Sequence, residues 1–526
     1  MRGTPPRNLV SGIALAILPA MVLLRLRGFV APHEDPRQAV LIAAGAAIFL
    51  AGVPRRRAGR LSVALKLALI LLAWTAVGLA LSPSPARGGL RLAQLAAALI
   101  ITAACAAGAD DRRWLDGLHR LSVAAGLTVA GLFWWRALLA FPRSDYPVWL
   151  MFSPIGHVSL SGDVLALWLP LLAWTCVETR QPRWLRGGAG LALAGLGGAL
   201  LMGASRAALA GLALAAVTAT TLVVGRDRRW PRRAALPLAL AGAAAVGAWA
   251  AAPLPLRPLE RVVEAFADGV EQRGSWLGPR APLYAATLEL VRAAPLLGYG
   301  PGAFPDVYPG RARRGAPAGD PLTAPGLFAA DPHNALLEQA VDGGVGAALL
   351  LAALLAVVLA GAWQRARRDG GGRAVAAAAA LGGALPGLAF SHTLHHPSSL
   401  YFFALAAGLS RAASTGAAPP RPAARWRLPA AALLVVTLAI GPTRALAAHW
   451  ELGRGLAKLG PSPLAARRHL ERALACDPRC FRAALALAQL DLAGGDTEAA
   501  ATRLRQVLTY HPDPALDSLL AAISRR

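Results

Sequence analysis

Long apolar runs without charge recur along almost the whole chain, separated by short arginine-rich breaks. A helix that crosses the hydrocarbon core needs about 20 such residues. Inside that core every backbone polar group must be satisfied within the element, which leaves helices or closed barrels. Runs of this length and continuity select helices. Thirteen spans are expected, near 9–24, 39–53, 63–81, 91–109, 121–139, 159–177, 188–202, 207–224, 234–252, 344–363, 374–390, 398–410 and 428–446. The seventh and twelfth are short, so the expectation is about 12 to 13 spans. The first run has no convincing signal-peptidase site and reads as a retained span.

Charge orients this map. Of 54 basic residues, all but Lys66 and Lys458 are arginine, against 28 acidic residues, for a net charge of +26. On a soluble chain such a charge would suggest nucleic acid. Here it lies in alternate loops: Arg55 to Arg60, Arg112 to Arg120, Arg180 to Arg186, Arg226 to Arg233, Arg365 to Arg373 and Arg411 to Arg427. Short cytoplasmic loops carry such an excess. The arginines are therefore orientation determinants, and no nucleic-acid partner is expected. The N-terminus is expected inside and the C-terminal segment outside. Four cysteines exclude a disulfide scaffold.

The expected fold is thus all-α, a polytopic membrane helical bundle with a long extracytoplasmic loop and a C-terminal helical-repeat domain. Its parts are residues 1–252 (about nine spans), 253–333 (the loop), 334–446 (the remaining spans) and 447–526. The loop has equal numbers of arginines and acidic residues and is rich in Gly and Pro toward its end. Loops of this length are usually functional or disordered. In the tail Ala466, Leu470, Leu474 and Pro478 recur 34 residues later as Ala500, Leu504, Leu508 and Pro512. That period is the tetratricopeptide one. Only about two repeats fit, so packing on the membrane domain or on a partner is expected. The tail reads either as a groove for a protein partner or as a helical appendage. Cys476 and Cys480 are either bridged or two packed thiols.

Three polar features fall at the outer boundary. Arg206 lies in Ser205-Arg206-Ala207 between spans seven and eight. Arg280 precedes Pro295-Leu296-Leu297-Gly298-Tyr299-Gly300. His333-Asn334 opens span ten. A lone intramembrane arginine either snorkels or faces a cavity. A histidine there is either structural or a proton acceptor. Arg136 reads as an interfacial arginine beside Trp134 and Trp135, or as a second anion contact. Asp163 either caps span six or faces the cavity. His392, His395 and His396 form either a metal site or a polar rim.

In this order the pieces resemble the O-antigen ligase superfamily of bacterial membrane glycosyltransferases, which includes O-antigen ligases, polymerases and protein O-oligosaccharyltransferases. The resemblance covers about residues 150–410 and extends to Asp342 and Gly344, nine and eleven residues after His333. Tyr284, where the family commonly has Trp, and Gly156-His157, where a Gly-Asn pair is usual, depart from the pattern. The resemblance implies a bacterial inner-membrane enzyme. Its donor would be a glycan on undecaprenyl pyrophosphate, and its acceptor a hydroxyl of lipid A-core, another glycan or a protein. Arg206 and Arg280 would clamp the pyrophosphate, and His333 would take or position the acceptor proton. Asn334, Arg136 and Asp163 would contribute to substrate binding, with membrane lipids around the bundle. No metal and no cofactor are implied. A transporter of lipid-linked glycan shares the spans and arginines but needs no proton acceptor, and a non-catalytic envelope scaffold would work through its repeat.

Overall fold

The computed structural model describes residues 7–31, 34–51, 62–140, 154–203, 205–224, 280–312, 331–391, 393–411 and 427–525. The expected ninth span and most of the long loop lie outside the described residues. Among the described residues the secondary structure is helical, apart from one isolated bridge between Arg27 and Phe29. The helices are α1 (Arg7–Ala16), α2 (Leu18–Leu23), α3 (Glu34–Ala51), α4 (Val63–Gly78), α5 (Pro85–Gly108), α6 (Arg112–Ala140), α7 (Val158–Val177), α8 (Arg183–Gly203) and α9 (Arg206–Val224). After the undescribed stretch come α10 (Arg280–Ala293), α11 (Phe304–Ala312), α12 (Ala335–Asp369), α13 (Gly372–Gly383), α14 (Leu385–Phe390), α15 (Pro397–Ser410) and α16 (Arg427–Lys458). The tail contains α17 (Pro463–Cys476), α18 (Phe481–Ala493), α19 (Thr497–Leu508) and α20 (Pro514–Ile523).

This is a multi-pass membrane protein. Seven described segments are long and apolar enough to cross a membrane: Val63–Leu81, Pro85–Gly108, Ser159–Val177, Arg183–Leu201, Arg206–Val223, Ala335–Asp369 and Gly372–Phe390. They coincide with seven of the expected spans. The first expected span is broken into α1 and α2, with Pro19 at the start of the second, because proline favours a first helical turn. The twelfth is the 14-residue α15. Loops assigned to the same side by charge also meet in space. Arg411 bonds Ser62 Oγ, and Arg373 reaches Ala109 and Asp110. At the other face, called outer below, Arg479 bonds the carbonyls of Ser82 and Pro83, and His449 lies 2.9 Å from Asp35.

Lipid-embedded helices associate through close backbone approach at small residues. Gly211 of α9 lies against the Gly383 carbonyl of α13, and Gly408 of α15 against Cys105 of α5. A buried arginine pins the outer ends. Arg37 of α3 donates to the carbonyls of Leu24, Val22, Pro154 and Ile155 and to Ser398 Oγ. Carbonyl acceptors satisfy its donors without a carboxylate, so this arginine is a fastener between α2, α15 and the segment before α7.

The feature that places the site is a break in α12. Gly344 has φ 76 and ψ 177, inside an otherwise continuous 35-residue helix. The carbonyls freed by the break are taken by the Gly-rich turn after α10. Tyr299 N–H donates to Val341 (2.8 Å), Gly300 N–H donates to Asp342 (2.9 Å), and Val345 N–H donates back to Pro295 (2.8 Å). Trp74 Nε1 covers the Gly343 carbonyl at 2.9 Å. An orphaned backbone group at this depth would cost several kcal/mol. Gly298 (φ 65) and Gly344 also need their missing side chains, because a Cβ at either would overlap the partner backbone.

The tail resolves its shortage of repeats by borrowing. The C-terminal part of α16 supplies Leu452 to the core formed with Leu470 and Leu487. α16 therefore acts as the partner of α17. Asp491 of α18 accepts from Arg467 (2.6 Å) and Arg503 (2.7 Å), joining three helices. Burial would raise its pKa, but those two bonds hold it below the ordinary aspartate value. Cys476 and Cys480 are both free thiols. The tail also rests on α11: buried His511 lies 3.5 Å from Asp306, which accepts from Arg87 at 2.8 Å.

Gly344→Ala tests the clasp. It should lower the melting temperature of the detergent-solubilised protein, by at least the roughly 1–2 kcal/mol a side chain costs at positive φ. Gly361→Ala, in the same helix with open space around it, should be neutral or stabilising by up to about 1 kcal/mol. Equal melting of the two variants contradicts the assignment.

Candidate active site

Three helix N-termini converge at the outer face. Arg206 begins α9, Arg280 begins α10, and His333-Asn334 precede α12. The α9 terminus is placed by Gly162 of α7, where a Cβ would meet Ala208 and Ser205. That close approach sets Asp163, the next residue, beside the start of α9. Asp163 is buried against Gly387 and shares that contact with Thr393. It therefore packs toward α14, while the capping of α7 falls to His157, whose Nδ1 accepts from Ser159 N–H at 3.4 Å.

Asn334 caps α12, its Oδ1 accepting from the N–H groups of Leu336 and Leu337 at 3.0 Å each. Its Nδ2 donates to the Ala389 carbonyl at 3.0 Å. Tyr284 Oη donates to the same carbonyl at 3.2 Å and lies 3.4 Å from the His333 carbonyl. One acceptor at the end of α14 thus ties α10 to α12. His333 has φ 52, a conformation uncommon for residues with a side chain. Its N–H donates to Asp331 Oδ1 at 2.8 Å, and its Nδ1 lies 3.5 Å from the same oxygen. Such strain in a non-glycine residue often accompanies a functional site.

The charges of this region sense one another. Burial depresses the Arg280 pKa, and the like charge of Arg206 depresses it further, while Tyr284, Asp163 and Asp331 work the other way. Burial raises the Tyr284 pKa against the pull of Arg280. Arg206, Arg280, Asp163 and Asp331-His333 therefore form one electrostatic neighbourhood. An apolar recess lined by Phe133, Leu165, Leu200, Gly162 and Ser205 opens beside Arg206. Arg136 belongs to a different neighbourhood, where its charged neighbour is Arg25.

A second polar group, not anticipated as such, adjoins this one. Arg91 of α5 donates to the Leu394 carbonyl at 2.7 Å and lies 3.6 Å from Glu338 Oε1. Glu338, in the first turn of α12, lies 2.8 Å from His395 Nδ1. Gln94 donates to the His395 carbonyl at 2.7 Å and accepts from Gln38 at 3.0 Å. Glu338 and His395 both sense Asp331, as Arg280 does. The histidine cluster expected as one rim divides: His395 pairs with Glu338, His396 is buried at the start of α15, and His392 lies outside the described residues. The signal available for Glu338 was its place five residues after His333. For Arg91 there was none, because its partners are more than 240 positions away.

Comparison with known proteins agrees with the motif resemblance. Residues 191–352 match the O-antigen ligase family and residues 462–523 match the tetratricopeptide repeat. The first match includes Arg206, Arg280, His333, Asn334, Asp342 and Gly344. No curated protein matches the chain. The family supports glycosyl transfer as the class of activity.

Asn334→Ala removes both cap bonds and the tie to Ala389 and should cost about 0.5–2 kcal/mol. Asn334→Asp keeps the acceptor and loses the donor, so it should melt between wild type and Asn334→Ala in detergent. Melting of Asn334→Ala at the wild-type temperature contradicts the structural role of the cap.

Proposed function

We propose that this chain transfers a glycan from undecaprenyl pyrophosphate to an acceptor hydroxyl at the outer face of a bacterial inner membrane. In this reading the N-terminus is cytoplasmic and the tail is extracytoplasmic. The observation that carries it is the meeting of Arg206 and Arg280, from two separate helix N-termini, beside Asp331-His333. The like charges repel; Asp163 and Asp331 offset part of that repulsion, and a multivalent anion would offset more. A pyrophosphate fits that demand. Guanidinium groups fork onto phosphate oxygens and remain charged when partly desolvated. Helix N-termini add positive potential and N–H donors.

The chemistry follows from charge development. As the sugar–phosphate bond breaks, negative charge grows on the leaving pyrophosphate, and fixed cations there stabilise the transition state. His333, held by Asp331, positions the acceptor hydroxyl on the opposite side of the reacting carbon. Asp163 sets the electrostatic balance of Arg280. Asn334 and Tyr284 hold the two helices at fixed separation. Arg136 would be an outlying contact with the membrane or a long donor. The tetratricopeptide tail suits an acceptor or partner protein. Ligation to lipid A-core, extension of a glycan chain and transfer to protein Ser or Thr all use this arrangement.

The transporter reading differs at His333. A carrier needs the arginines but no group at the acceptor hydroxyl. Purified protein with a defined undecaprenyl-pyrophosphate oligosaccharide should form product with one of three acceptors: lipid A-core, a Ser/Thr peptide or a second donor molecule. Arg206→Lys and Arg280→Lys should each lower kcat by about 10²-fold or more, the range for loss of one charge-stabilising donor. His333→Ala should lower transfer while donor binding persists. Transfer unchanged in both lysine variants would sink the site assignment.

A further inference from the structure

We infer that the turn after α10 dips into the bilayer at the outer face, with Leu296 and Leu297 among lipid acyl chains and Arg292 at the headgroups. The end of the long segment between spans is thereby held by lipid as well as by the bundle. This inference does not depend on the transfer reading.

Depth is set by α12. Between Asp342 and Arg365 it carries no charge, a stretch of 22 residues from Gly343 to Gln364. At a rise of 1.5 Å per residue that stretch covers about 33 Å, close to the roughly 30 Å of a hydrocarbon core. The outer edge of the core therefore falls beside Gly343–Val345. The turn is tied to this level. Tyr299 and Gly300 donate to the carbonyls of Val341 and Asp342, and Val345 N–H donates to the Pro295 carbonyl at 2.8 Å. The Leu296 carbonyl lies against Gly344, where a Cβ would overlap it. The end of α4 flanks the turn, with Pro301 3.5 Å from where a Cβ on Gly78 would stand.

Exposure identifies the partner. Leu296 is 79% exposed and Leu297 51%. Single exposed apolar residues are ordinary, but these two continue a surface. Val345 and Leu349 of α12, and Val77 and Leu81 at the end of α4, are exposed as well, and both segments are of membrane-crossing length. Lipid covers the outward side chains of such spans, so the leucines extend an interface with lipid. A water-soluble partner would have to reach below the headgroups to cover them. α10 itself is apolar on two sides. Leu283, Ala286 and Leu290 pack against Phe304, Tyr308 and Val341. Pro282, Ala285 and Leu288 are exposed on the other side. Exposed Arg292 lies one turn before Leu296. An arginine there can lay its stem along apolar surface while its head meets anionic headgroups. Glu289 is also exposed but lies farther from the turn.

The full-length protein, with Cys476 and Cys480 replaced by alanine, is placed in nanodiscs of phosphatidylethanolamine and phosphatidylglycerol. Cys105 and Cys176 are buried and remain. A bimane probe is attached at Leu296→Cys, Leu297→Cys or Arg292→Cys. Leu349→Cys is the lipid-facing reference and Glu498→Cys, exposed on the tail, the aqueous one. At both leucine positions the emission should shift to the blue, relative to Glu498→Cys. It should lose intensity to lipid carrying a nitroxide high on the acyl chain, as Leu349→Cys does, and resist iodide. Arg292→Cys should lose more intensity to a headgroup nitroxide than to the chain nitroxide. Iodide quenching at the leucine positions as strong as at Glu498→Cys overturns the proposal, because the turn is then in water. Protection from both iodide and nitroxide lipid also overturns it, because protein then covers the turn. The two leucine positions are read separately, so a variant that fails to fold leaves the other to decide. The transfer reading is tested apart from this, by the arginine variants above.

Discussion

The backbone exchange at the break in α12 is the interaction on which the outer face depends. A helix interrupted within a membrane protein must hand its freed carbonyls and N–H groups to something else. Here Tyr299, Gly300 and Pro295 receive them. The exchange joins the C-terminal end of α10 to the middle of α12, and so fixes both helices by their distal parts. Their near parts carry Arg280 and His333-Asn334. The two ends cannot drift apart, because Tyr284 and Asn334 share the Ala389 carbonyl. Glycine is required by geometry at 298 and 344, since a Cβ would occupy the space of the partner backbone. The Pro-Leu-x-Gly-x-Gly run is therefore a clasp, and its effect on chemistry is indirect.

Arginine serves three purposes in this chain, separated by what surrounds it. In the loops of one face its excess is the sequence signal from which an orientation is expected. At position 37 it is fully buried and satisfied by backbone carbonyls, a fastener with no capacity left for a ligand. At positions 206 and 280 it sits at helix N-termini near a like charge. Arg91 stands between the second and third: it supports Glu338 and the Leu394 carbonyl at the edge of the site.

Much of this was legible in the sequence, for identifiable reasons. Apolar length marks spans because the hydrocarbon thickness is fixed, and seven expected spans have that length as helices. Arg206 and His333 were singled out because each lies at a boundary between an apolar run and a polar turn, and Arg280 because of its place in the ordered motif. Span ten was read too short, since nothing in 335–343 says that the helix begins at the Asn334 cap and continues through a break. Arg136, read as an interfacial arginine or a second anion contact, has Arg25 as its charged neighbour. Arg37, Arg91 and Glu338 escaped notice as a class. Their roles are set by partners from distant helices, which local pattern does not encode.

The tail illustrates how a short repeat array becomes stable without further repeats. Each repeat must bury a face on a neighbour. On one side the neighbour is the end of α16, which brings Leu452 against Leu470 and Leu487. On the other, Phe481 stacks on His511 at 4.0 Å, and His511 lies against Asp306 of α11. Asp306 accepts from Arg87, which also bonds the Gly302 carbonyl, while Gly302 N–H donates to Asp342. Repeat, α11 and clasp are thus joined by a continuous run of buried polar contacts. Loss of Arg87 would leave the buried Asp306 carboxylate without its cation, which is far costlier than the bond itself. The tail is consequently part of the packing that holds the outer face, and the end of the site nearest α12 takes its rigidity from both the membrane bundle and the repeat.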